Sequence, residues 1–137
     1  MDRRHFLMSL AATTTAGPVF AGSGQVYTEG LVQRELDAGK TVFVDFFAEW
    51  CSTCRVQEIK VNELKASNPD YEANVSFVSV NWDQHRKSKL ARRLNIPRRS
   101  TLVVLKGNKE LGRIVAGTST SAIQKLMDRA LKAATTS

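Results

Sequence analysis

Cysteine, histidine and proline are all scarce in this chain of 137 residues, which holds two, two and three of them. Two cysteines cannot build a disulfide-rich scaffold. They also fall short of a structural zinc site, which takes four Cys or His ligands, and His5 and His85 do not stand at zinc-motif spacing. Attachment of a c-type haem needs a histidine directly after the second cysteine, and that residue is Arg55. There is no long apolar run of the 20 or so residues that a membrane-spanning helix requires. There is no internal repeat. What remains for Cys51 and Cys54, three residues apart, is redox or nucleophilic work.

Apolar residues make up 42% of the chain and charged residues 24%, enough to bury one core without special staples. The net charge of +7 fits a well-solvated surface or an acidic partner. A nucleic-acid partner is not expected, because no aromatic cluster offers a platform for stacked bases.

The opening Met1-Asp2-Arg3-Arg4-His5-Phe6-Leu7 sets two adjacent arginines before a modest apolar stretch from Phe6 to Phe20. Thr13, Thr14 and Thr15 interrupt that stretch, and Val19-Phe20-Ala21 presents small residues where a signal peptidase cuts. The segment resembles a bacterial twin-arginine signal. Residues 1–21 are therefore expected to be an export signal, 22–132 the folded domain and 133–137 a flexible tail. Removal of Asp2, Arg3 and Arg4 with the signal leaves 18 basic and 12 acidic residues, a charge of +6. The expected destination is the periplasm, where disulfides form and persist.

Along the domain, Thr28 is expected to cap a helix over 29–38, with Gly39 as its stop. Thr41 to Phe47 is a nearly continuous β-branched and aromatic run, as in a strand buried on both faces. A helix is expected over 51–66 with Val56, Ile59 and Leu64 inward, and Asn68-Pro69-Asp70 ends it. Strands follow at 75–80, 101–105 and 111–116, the last two joined as a hairpin at Gly107-Asn108. A basic helix is expected over 85–94, with Leu90 and Leu94 one turn apart. Ser119 or Thr120 should cap a final helix through Leu131, cored by Ile123, Leu126, Met127 and Leu131. The alternation of elements argues for an α/β fold: a three-layer α/β/α sandwich around a mixed, mostly four-stranded sheet.

At the junction of the first long strand and the next helix lies Phe46-Phe47-Ala48-Glu49-Trp50-Cys51-Ser52-Thr53-Cys54. A thiol at a helix N-terminus meets free backbone N–H groups and the positive dipole end, which favour its thiolate. A second thiol one turn on can attack the mixed disulfide that the first one forms.

From Val44 to Cys51 the chain resembles the thioredoxin signature: an aspartate, two aromatics, Ala, a polar residue and Trp-Cys. The likeness runs more weakly over 28–131 and includes Val80-Asn81-Trp82-Asp83. It implies a protein-disulfide oxidoreductase with Cys51 as nucleophile and Cys54 as resolving thiol. Asp45 would lie beneath Cys54 and handle its proton, the protonated form being favoured by burial. Trp50 would shield the sulfurs and face the substrate, together with Ser100, Thr101 and Arg99. No cofactor is implied beyond a redox-active Cys51–Cys54 disulfide. The implied partners are protein disulfides, with a membrane electron donor to recharge a monomeric reductant. A Cu(I)-binding or metal-delivery role for the same two thiolates is the alternative.

Three positions depart from that family pattern. Ser52-Thr53 replaces Gly-Pro between the cysteines. Ser100 stands where a cis-proline is usual and is expected to be trans, since a non-proline cis bond costs roughly 2.5–4 kcal/mol. Pro97 could take the cis role only if Arg98-Arg99-Ser100 looped out. Ser79 occupies the place of a lysine that partners the buried acid. A basic stretch, His85-Arg86-Lys87-Ser88-Lys89 with Arg92-Arg93 and Arg98-Arg99, is either a solvated face or the recognition surface for an acidic partner.

Overall fold

The computed structural model describes residues 24–136; the expected export signal lies outside them. Its centre is β2 (Thr41–Phe47), whose first six residues are all buried. Even-numbered Val42, Val44 and Phe46 point to one side of the sheet and Phe43 to the other, the period-2 rule of a strand. Asp45 shares the face of Phe43.

Around β2 the sheet is mixed and five-stranded, in the order β1-β3-β2-β4-β5. β3 (Val75–Asn81) runs parallel to β2, and β4 (Thr101–Lys106) and β5 (Lys109–Val115) close it as an antiparallel hairpin. The fifth strand, β1 (Gln25–Val26), was not expected. At two exposed residues it is too short to carry a hydrophobic pattern of its own. It lies parallel to β3, and Gly24 N–H donates to Ser79 Oγ at 2.8 Å. A Cβ on Gly24 would stand 2.4 Å from the Phe77 carbonyl oxygen, so that approach needs glycine.

One face of the sheet is covered by α1 (Leu31–Asp37) and α5 (Lys89–Arg93), the other by α2 (Ser52–Ser67), α3 (Asp70–Asn74) and α6 (Thr120–Thr135). Together these give the three layers expected. Among the described residues no helix is long and apolar enough to cross a membrane.

Local chemistry differs from expectation at several ends. Thr28 does not cap α1 with its side chain: Gly30, at φ +85°, is the N-cap residue, and only the Thr28 carbonyl is used, by Leu31 N–H. Gly39 does stop α1, at φ +85°, with its own N–H on Leu36 and that of Lys40 on Glu35, a Schellman arrangement. The basic helix over 85–94 is two short ones, α4 (Trp82–His85) and α5. Asn81 and Ser88 each present a side-chain oxygen to a backbone N–H three residues on and so start a new helix. α6 is capped by Ser119 and continues to Thr135, so residues 133–135 are helical rather than a frayed tail. The Lys106 ammonium donates to the Ala133 carbonyl near its end.

The largest difference is the rotation of α2. Val56 and Ile59 are 38% and 49% exposed, while Cys54, Gln57 and Val61 are buried and Leu64 packs against the α6 side of the core. The buried stripe steps by three and four residues as it should. One of its members is a glutamine, so hydropathy alone selects the wrong face.

Candidate active site

β2 ends at Phe47 and α2 begins at Ser52, so the chain turns sharply from the sheet into the helix at residues 48–51. Cys51 is the N-cap residue of α2. Its Sγ accepts the Cys54 N–H at 3.1 Å, satisfying one of the donors that every helix leaves unpaired at its start. A disulfide joins Cys51 to Cys54, with Cα atoms 5.3 Å apart. Both cysteines are buried against Ala48, with Phe47 beside them.

The facing wall is the segment before β4. Ser100 is fully buried, and its Oγ lies 3.3 Å from Cys51 Sγ and 3.2 Å from Cys54 Sγ. Three hydrogen bonds hold its backbone. Its N–H donates to the Phe46 carbonyl at 2.7 Å, and its own carbonyl accepts from Ala116 N–H at 2.8 Å and from Gln57 Nε2 at 3.1 Å. Ser100 and Ala116 sit at φ +65° and +64°, the left-handed region that residues with a Cβ avoid at a cost of roughly 1–2 kcal/mol. Two strained residues hydrogen-bonded to one another therefore back the sulfur pair.

Among the described residues there is no cis peptide bond. Ser100 is trans, as expected, and Pro97 is trans and exposed. The looped-out alternative, with Pro97 in the cis role, is thereby excluded: it is Ser100 that meets the sulfurs.

The other expected site residues divide. Asp45 is buried, opposite Ser79 in the β2–β3 register and Leu102 in the β2–β4 register. Ser79, in the lysine position, accepts the Gly24 N–H with its Oγ. Trp50 is 62% exposed, its indole N–H donates to Asp83 Oδ2 at 2.7 Å, and the Arg99 guanidinium lies 4.2 Å over its ring. Trp50 and Arg99 thus form one outward surface beside the disulfide. Thr101 is fully buried and its hydroxyl donates to the Arg98 carbonyl at 2.7 Å, so it shapes the loop and does not face a substrate. The Ser100 side chain likewise faces the sulfurs and not the solvent.

Two residues were missed by sequence reasoning. Gln57 Nε2 reaches the carbonyls of both Ser100 and Gly117, the latter at 2.8 Å, and so ties α2 to the facing wall. Its polarity hid it; the only available signal was its spacing of three and seven residues from Cys54 and Leu64. Glu58 lines a cavity of about 220 Å³ with Cys51, Cys54 and Arg55. Burial holds its carboxyl above the usual carboxylate range, against the opposing pull of Arg55.

A redox-capable cysteine pair at a helix N-terminus, faced by the loop before β4, is the arrangement of a thiol–disulfide oxidoreductase. The model of the family described as Thioredoxin matches residues 25–129, and the chain belongs to that family. Thioredoxin 1 of Nostoc sp. is 27% identical over 111 residues, 81% of this chain and 99% of the relative. Thioredoxin Asp f 28 of Aspergillus fumigatus is 31% identical over 97 residues, 71% of this chain and 84% of the relative. Among solved structures, Trxlp from Edwardsiella tarda matches with a TM-score of 0.65 at 28% identity, covering 76% of this chain and 98% of that one. The thioredoxin of Fasciola hepatica matches with a TM-score of 0.63 at 27% identity, covering 77% and 98%. The redox centre is part of the chain, and no separate cofactor is used. The copper-carrier alternative finds no support in these relatives.

Proposed function

We propose that this protein is a monomeric reductant of disulfides in exported proteins, working in the periplasm and recharged by a membrane electron donor. The observation that carries the exchange chemistry is the Cys51–Cys54 disulfide at the start of α2, beside an exposed tryptophan. Export is supported by Arg3-Arg4-His5-Phe6-Leu7, and the reducing direction by the likeness of residues 41–54 to reducing thioredoxins.

In this reading the Cys51 thiolate attacks a substrate disulfide. A Cys51–substrate disulfide forms, the substrate S–S bond breaks, and one substrate thiolate leaves. Cys54 then gives up its proton, which Asp45 handles, and attacks Cys51 Sγ. The intramolecular disulfide closes and the second substrate thiolate leaves with a proton. Two electrons have passed from the dithiol to the substrate. Trp50 and Arg99 form the docking surface, and Arg98 with Arg99 favours acidic segments next to the target disulfide.

Equilibration in glutathione redox buffers tests the direction. A potential near roughly −270 mV supports a reductant, and one near roughly −120 mV makes the protein an oxidant. Cell fractionation tests the location, with Arg3→Lys/Arg4→Lys expected to leave the protein in the cytoplasm.

A further inference from the structure

In the reduced protein a negative charge has to reside on one sulfur at a time, first on Cys51 and later on Cys54. The helix supplies one donor to Cys51, the Cys54 N–H at 3.1 Å. The backbone of Ser100 is fully engaged, its N–H on Phe46 and its carbonyl under Ala116 and Gln57. Its hydroxyl alone is left over, aimed between the two sulfurs at 3.3 and 3.2 Å, in a place no solvent reaches. Neither sulfur of a disulfide carries a hydrogen, so in the oxidised state the hydroxyl is the donor. Disulfide sulfur is a poor acceptor, whereas a thiolate accepts a charge-assisted bond about twice as strong as a neutral one.

We propose that the Ser100 hydroxyl is a catalytic hydrogen-bond donor that serves the two sulfurs in turn, holding whichever cysteine carries the thiolate. In the resting dithiol it donates to Cys51, adding a second donor to the helix amide. Once Cys51 is bonded to substrate its charge is gone. A small rotation of one O–H bond then turns the donor to Cys54, stabilising the thiolate that must attack. No atom is transferred from Ser100, and the electron balance of the exchange is unchanged. The strain at φ +65° fits this role, because the backbone is held in a disfavoured shape by three hydrogen bonds that fix where the hydroxyl points. A proline, usual at this position in the family, has no hydroxyl to offer.

The inference rests on the exchange chemistry of Cys51 and Cys54 but is tested apart from any substrate. Ser100→Ala removes the oxygen alone. Ser100→Gly removes it and also relieves the positive φ, so it guards against a folding failure of the alanine variant. The readout is thiolate absorbance and iodoacetamide alkylation of Cys51 across pH in the reduced full chain. Both variants are expected to lower the ionisation constant of Cys51 about tenfold. The exchange equilibrium with glutathione, measured above the ionisation midpoints, moves by the same tenfold toward a more reducing protein, about 30 mV. Release of a mixed disulfide preformed on Cys51 should slow by a similar factor. If Cys51 ionises in either variant, folded as judged by its unfolding midpoint, as it does in wild type, the proposal is overturned. Should wild type not exchange with glutathione at all, the proposed function fails, while the Cys51 titration still decides the role of Ser100.

Discussion

The two walls of the site are held by different physics. The wall carrying Trp50 to Cys54 relies on a general property of helices: amides at an N-terminus have no partner within the helix and favour an anion. Any residues that keep α2 helical preserve it, which is why Ser52-Thr53 can replace the usual pair between the cysteines. The facing wall, Pro97 to Thr101, relies on individual contacts. Ser100 is placed by three hydrogen bonds, to β2, to α2 and to the residue that follows β5, and keeps a backbone shape that it would not adopt alone. A sulfur placed by a helix dipole survives many substitutions; a hydroxyl placed by Gln57 and Ala116 does not.

The largest expected effect breaks the first wall at its chemistry. Cys51→Ser should lower disulfide reduction by about a thousandfold or more, since no other group can open the substrate bond. Serine is itself a good N-cap, so α2 should persist. Reduction of insulin disulfides is the assay, and activity retained within tenfold would mean that Cys51 is not the attacking thiol. Cys54→Ser should instead accumulate the mixed disulfide on Cys51, visible on a non-reducing gel.

The next effect breaks the link between the walls. Gln57→Leu preserves bulk but removes the donor to Ser100 and Gly117, leaving the Ser100 carbonyl with Ala116 alone and the half-buried Gly117 carbonyl without this bond. Loss of about 1–3 kcal/mol of stability is expected in urea unfolding. Val56→Ala, one residue away on the exposed face of the same helix, should change stability by no more than about 0.5 kcal/mol. Equal costs for the two substitutions would show that the helix is not oriented by its glutamine.

The same contrast explains what could be read in advance. β2 and β4 carry dense β-branched and aromatic or aliphatic runs, and the glycine turn after β4 marks β5, which begins at Lys109, two residues earlier than expected. The Cys51–Cys54 spacing and Trp50 are local signals too, and they meet where β2 turns into α2. What was not legible depends on contacts between distant residues. α2 buries a glutamine and exposes Val56 and Ile59, because two carbonyls across the site needed a donor more than the core needed two more methyl-bearing side chains. β1 exists through its pairing with β3, and the basic segment breaks in two because Asn81 and Ser88 each cap a new turn. Ser100 could be placed opposite the sulfurs by alignment, but its hydroxyl could not be aimed at them without the strained backbone that Ala116 supports.

A control for both walls lies at the far end of the sheet. Glu35 accepts from Ser76 Oγ at 2.5 Å, from the Lys40 ammonium at 3.2 Å and from Gln25 Nε2 at 3.4 Å. The Ser76 bond first, and then the Lys40 charge, hold its carboxyl below the usual range, with desolvation opposing them. A carboxylate lowered in the folded state stabilises the protein above its unfolded value, near 4.5, and that stabilisation is lost as pH falls through and below it. Glu35→Gln should therefore cost about 1 kcal/mol or less at pH 7, allowing for solvent screening. The cost should shrink as pH falls from 7 to well below 4.5, as the folded carboxylate takes up its proton. Unfolding midpoints at the two pH values check it, and the activity should not move, because the site lies at the opposite end of β2.

The smallest effect sharpens the division within the facing wall. Arg99 stands next to Ser100, yet its guanidinium lies over the ring of Trp50, whose indole is anchored on Asp83. An exposed charge pair between Arg99 and an acidic residue of the substrate contributes about 0.2–1 kcal/mol, a factor of roughly 1.4 to five in binding. Arg99→Ala should therefore raise KM for a substrate with acidic residues beside its disulfide by about that factor and leave kcat unchanged. The difference from wild type should shrink in 1 M salt, where the Debye length falls to about 3 Å. Arg99→Lys keeps the charge without the flat guanidinium, and it should restore the salt dependence but only part of the affinity. If Arg99→Ala lowered kcat and left KM alone, the guanidinium would be acting on the sulfurs, and the docking surface would have to be sought without it.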